Sequence, residues 1–67
     1  MLSKTTIRKA VLPLLTKRRF IIAIERVGRK NVVFLSGTGS WEAMMMVNHN
    51  LYHRTHWKSV LVVGNIR

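Results

Sequence analysis

Cysteine is absent from this chain of 67 residues, so no disulfide and no thiolate metal ligand can staple it. The absence fits a reducing compartment. Acids are nearly absent as well. Glu25 and Glu42 are the only carboxylates, against twelve lysines and arginines, for a formal net charge of +10. No paired carboxylates and no nucleophile–base–orienter set can be found, so no catalytic residue, no enzyme activity and no cofactor is expected. Long apolar runs are missing too. The longest stretches without charge, Asn31–Trp41 and Ala43–His53, contain Gly, Asn or His and fall short of the ~20 apolar residues that cross a bilayer. A secretory signal is not expected, because Val11–Leu15 is too short an apolar core and Lys17-Arg18-Arg19 follows it.

What is present forms one small domain, residues 1–67. A domain of this size buries only about 60% of its unfolded surface. Its single core rarely contributes more than roughly 3–5 kcal/mol. Hydrophobic residues still make up 48% of the chain, too many for a disordered basic tail. Core-forming segments and a large charge excess therefore coexist. Self-repulsion of that charge opposes compaction and favours a polyanionic partner.

Nine of the twelve cations fall in the first 30 residues: Lys4, Arg8, Lys9, Lys17, Arg18, Arg19, Arg26, Arg29 and Lys30. Residues 1–17 read as an amphipathic basic helix. They also resemble a mitochondrial targeting segment, being basic and hydroxyl-rich with no acid before Glu25. An intracellular location, mitochondrial or bacterial cytoplasmic, is the corresponding expectation.

Periodicity predicts a helix over 3–16. Ile7, Ala10, Val11, Leu14 and Leu15 form one stripe at i, i+3, i+4, i+7 and i+8, and Ser3 can cap it. Pro13 should kink this helix or split it near Lys9–Leu12. Phe20–Glu25 and Asn31–Leu35 read as strands of a hairpin, with Gly28 in the turn and Arg26, Arg29 and Lys30 at its tip. The unbroken run Val32–Leu35 suggests a strand covered on both faces. Residues 41–54 read as a helix capped by Ser40, with Trp41, Met44, Met45, Asn48, Leu51 and Tyr52 on one face. The competing reading is a strand over Trp41–Val47. Ser59–Val63 is a last strand, closed by Gly64-Asn65. The expected class is α+β in the order α-β-β-α-β. If Trp41–Val47 is a strand, the fold becomes an N-terminal helix plus a small β-barrel.

Ser36-Gly37-Thr38-Gly39-Ser40, between a strand and a helix start, can offer backbone N–H groups and a helix dipole to an anion. Gly37, Thr38, Gly39 and Ser40 are the candidate donors; a simple turn is the competing reading. The segment Val33-Phe34-Leu35-Ser36-Gly37-Thr38-Gly39-Ser40-Trp41-Glu42-Ala43 resembles the cofactor-phosphate segment of class V pyridoxal-phosphate aminotransferases. Lys58–Val63 loosely resembles that family's next strand. The resemblance implies a phosphate-holding role for Gly37, Thr38 and Gly39. It covers about 11 residues well. The family's Schiff-base lysine and its acid against the pyridine nitrogen have no counterpart here.

Tyr52-His53-Arg54-Thr55-His56-Trp57-Lys58 packs rings and cations together without an acid. Tyr52 and Trp57 can stack on exposed bases while Arg54 and Lys58 meet phosphates. They can equally anchor the helix–strand corner in the core. His49 and His53 share a helix face, but zinc needs a third ligand and no metal is expected. Met44-Met45-Met46 reads as core filling or as an adaptable contact surface. The function this combination supports is RNA binding or ribonucleoprotein assembly, of a ribosome-associated type. RNA or another nucleic acid, or a larger ribonucleoprotein or protein assembly, would be the partner. A non-catalytic accessory subunit of a large protein complex and an anion-binding α/β fragment are the alternatives.

Overall fold

In the computed structural model, which describes residues 2–15 and 20–64, Ser3 opens the first helix. Its Oγ accepts the Thr6 N–H at 3.1 Å and meets the Thr6 hydroxyl at 2.9 Å. The helix α1 spans Lys4–Val11. Pro13 has no N–H to continue the ladder, so the chain tightens into a 3-10 turn over Leu12–Leu15. The split falls where the sequence placed it. Ile7, Val11 and Leu15 of the apolar stripe are buried, and Ala10 and Leu14 pack beside them.

Strand β1, Ile21–Val27, pairs antiparallel with β2, Lys30–Ser36. The turn between them is two residues long. Gly28 adopts φ +63° and Arg29 does not share a positive φ, the sign pattern of a type II′ hairpin. Both strands run further toward the turn than the sequence suggested. In consequence Arg26 pairs with Asn31 and Lys30 pairs with Val27, which puts these two cations on opposite faces of the sheet. Only Arg29 sits in the turn itself.

Helix α2, Ser40–Thr55, follows the glycine loop, and β3, Val60–Gly64, returns parallel to β2. The sheet order is β1-β2-β3, and it is not closed into a barrel. Residues 41–47 are helical, so the α-β-β-α-β order stands and the barrel alternative does not. The N-cap is Gly39 (φ 80°), not Ser40. Ser40 lies inside the helix and is buried. At the other end His56 takes the left-handed C-cap conformation at φ 57°, its N–H bonded to the Tyr52 carbonyl at 2.7 Å. Glycine is favoured there because a Cβ is disfavoured at positive φ. His56→Gly is expected to raise stability by about 0.5–1 kcal/mol, read as a higher denaturant midpoint at unchanged slope.

The buried face of α2 is Ser40, Ala43, Val47 and Leu51, with Met44 partly covered. This differs from the face expected from the sequence: Trp41, Met45, Met46 and Tyr52 are exposed. Of the three consecutive methionines, only Met44 packs against the core.

Both helices lie on one face of the sheet, over Ile24, Val33, Leu35 and Val62. Among the described residues no helix or second sheet is layered over the other face. The register places Ile21, Ala23, Val27, Phe34, Leu61 and Val63 there, together with Glu25, Lys30 and Val32. Exposure on this face reaches 75% at Ile21, 57% at Val27, 44% at Leu61 and 37% at Phe34. The expectation that β2 is covered on both faces holds at Val32 and Val33, which are both buried, and fails at Phe34, which is 37% exposed. Among the described residues β2 is the central strand, with both helices on one side of it.

Candidate nucleic-acid interface

The corner where α2 ends and β3 begins brings rings and cations together. Thr55 closes the helix, its hydroxyl donating to the Leu51 carbonyl at 2.8 Å and accepting the Trp57 N–H at 3.2 Å. That pair of bonds fixes the direction in which the chain leaves the helix. Trp57 thereby packs partly against the core, while Tyr52, one turn back, stays half exposed. The Tyr52 ring meets His56 edge to face, with centroids 5.5 Å apart. The two roles considered for these aromatics are thus divided: Trp57 anchors the corner and Tyr52 faces outward.

Between α2 and the start of the sheet lies an open groove of about 360 Å³. Its walls include Tyr52, Trp57, Lys58 and Lys30, with Asn48, Leu51, Val60 and Leu61 completing them. Lys30 enters because β2 begins beside β3, whose preceding residue Ser59 accepts the Asn31 N–H at 2.7 Å. Among the described residues no carboxylate lines the groove. Lys30 and Lys58, 28 positions apart in the chain, are joined only by the parallel pairing of β2 and β3.

The remaining cations are dispersed. Lys4, Arg8 and Lys9 are exposed on α1, off its buried stripe. Arg26 and Arg29 are exposed at the hairpin end, where the Arg26 Nε donates to the Gly28 carbonyl at 3.4 Å. Arg54 is exposed in the last turn of α2. Lys17, Arg18 and Arg19 lie outside the described residues.

The glycine loop leads from the end of β2 into the first turn of α2. Ser40 donates its N–H to the Gly37 carbonyl at 3.1 Å, and Ala43 donates to Gly39 at 3.1 Å. The first turn of α2 holds Glu42, an anion placed by the sequence itself where the helix dipole favours one. Among the described residues no three His, Asp or Glu side chains gather into a metal-binding group. His49 and His53 meet edge to face at 5.5 Å.

Sequence reasoning missed the role of Asn48. Its amide bonds both backbone groups of Val62: Nδ2 donates to the carbonyl at 2.7 Å, and Oδ1 accepts the N–H at 2.9 Å. Ser59 directs its carbonyl to β2, and alternation along the strand turns Val62 toward the free edge of β3. Asn48 therefore does there what a fourth strand would do. An asparagine within a helix, followed directly by His49 and Asn50, gives no local signal of this.

No protein family, curated protein or solved structure matches this chain. Among the described residues no helix is long and apolar enough to cross a membrane.

Proposed function

We propose that this protein binds single-stranded RNA, as a small basic component of a ribonucleoprotein assembly of the ribosome-associated type. The observation that carries the reading is the groove in which Lys30, Lys58, Tyr52 and Trp57 form common walls without a carboxylate. Its chemistry suits an unpaired stretch of RNA: one base stacks on the Tyr52 ring, and the two ammonium groups take the flanking phosphates. The dispersed cations on α1, at the hairpin end and at Arg54 would add phosphate contacts without sequence preference. The +10 charge steers the polyanion toward the protein from any side.

Titration with a single-stranded RNA oligomer tests this. Tyr52→Ala should weaken binding by about 1–3 kcal/mol, the worth of one stacked base, and leave the fold intact because Tyr52 is exposed. Lys30→Ala with Lys58→Ala should lower the steepness of the log–log salt dependence by about 1.4, at about 0.7 for each phosphate no longer neutralised. An affinity that does not change with salt, or a Tyr52→Ala variant that binds as tightly as the parent, would overturn the reading.

A further inference from the structure

We propose that the bare face of the sheet is a self-association surface, on which a second copy of this chain docks face to face. The inference does not rest on RNA binding. Three features of the face support it. It is apolar, with Ile21, Val27, Phe34, Leu61 and Val63 projecting from all three strands. Among the described residues it is also nearly neutral: those that the strand register places on it with charge are Glu25 and Lys30, which cancel. The exposed cations of α1, the hairpin turn and Arg54 lie elsewhere. Two copies of a chain carrying +10 repel each other, and a contact through the uncharged side keeps their cations furthest apart. Lys30 and Leu61 border both this face and the groove; beyond them the described residues of the face offer a nucleic acid no cation, one carboxylate and a single ring, Phe34, so a nucleic acid is the poorer occupant.

The size of the face sets the strength. Three strands about 4.8 Å apart, rising about 3.3 Å per residue, give a plan area on the order of 300 Å² per copy. The accessible area, which follows the side chains, is larger. Two such faces fall at the low end of specific interfaces, below roughly 1,200 Å² in total. A contact of this size fits a reversible dimer rather than an obligate one. The two layers of each copy would stack as helix, sheet, sheet, helix, with the sheets about 10 Å apart.

Sedimentation equilibrium of the full chain, freed of nucleic acid by nuclease and high salt, tests the proposal. The average mass should rise from one chain toward two as concentration increases. Association should tighten as salt is raised, since salt screens the repulsion and leaves apolar contact intact. Ile21→Lys, at a position exposed enough to accept it, should weaken the dimer about tenfold or more. Met46→Lys, exposed on α2, should leave it unchanged. A single-chain mass at every concentration and salt would overturn the proposal. So would association that survives Ile21→Lys, or that is lost on nuclease treatment because RNA was bridging two copies. The RNA reading is scored separately, because monomeric Ile21→Lys protein should still bind the oligomer.

Discussion

Asn48→Leu should leave the chain largely unfolded at room temperature. The substitution keeps the side-chain size and improves helix propensity, so α2 itself is not weakened. What it removes is the amide that bonds the Val62 carbonyl at 2.7 Å and the Val62 N–H at 2.9 Å. Val62 is 1% exposed, so water has poor access to the freed groups. A buried backbone group left unpaired costs about 1–3 kcal/mol, and two cost about 2–6 kcal/mol. A single small core contributes roughly 3–5 kcal/mol in total. The expected loss is therefore of the same size as the whole stability. Chemical denaturation followed by circular dichroism measures it. His49→Leu, one residue away and exposed, is the control and should shift stability by no more than about 0.5 kcal/mol. Hydrogen exchange gives a local readout: in a milder variant, Asn48→Ser, the Val62 amide should lose protection before those of β2. If Asn48→Leu unfolds at the parent's midpoint, the edge-pairing role of Asn48 is wrong.

Gly64→Ala is the second large expected effect, and its cause is space. Gly64 ends β3 opposite Leu35 and is buried under the first turn of α2. A Cβ built there would stand 2.5 Å from the Ser40 carbonyl oxygen, 2.9 Å from the Ser40 carbonyl carbon and 3.1 Å from the Met44 Cβ. Two of these three atoms are backbone, which no rotamer change can move. The helix must lift from the strand or the strand end must detach, and either opens the core. Overpacking of this kind costs typically about 1–3 kcal/mol, and more where backbone must shift. Thermal unfolding should show a large fall in midpoint. Met44→Ala should rescue little, because Ser40 supplies the closest contacts. A Gly64→Ala protein as stable as the parent would mean that α2 does not sit this close to β3. Gly28→Ala makes an informative contrast: nothing lies within 4 Å of its Cβ, so only the positive φ is penalised, by about 1 kcal/mol.

The same close approach explains why the buried face of α2 was misjudged from the sequence. Hydrophobicity alone favours Trp41, Met45 and Tyr52 as inward residues. The strand lies so near the helix that its first turn admits only Ser40 and Ala43, with Val47 and Leu51 further along. Bulk is excluded where backbones almost touch, and the large side chains turn outward. The groove shows the same divide. Tyr52, Trp57 and Lys58 are neighbours in the chain, so their cluster was legible. Lys30 joins them only through the pairing of β2 with β3. The hairpin cations point the other way: they looked like one cluster at a tip, and one-residue alternation sent Arg26 and Lys30 to opposite faces.

By itself the sequence determined what repeats locally. The 3.6-residue stripe of α1, its Ser3 cap, the break at Pro13 and the Gly28 turn all follow from chemistry within a few residues of each position. The charge excess is equally local, being a count. Tertiary structure alone decided the parallel return of β3, the side of α2 that is buried, the edge that Asn48 closes and the sheet face left bare. Each of these depends on which surfaces meet after the chain has folded back across many residues, and no short window of sequence encodes a distance between its distant parts.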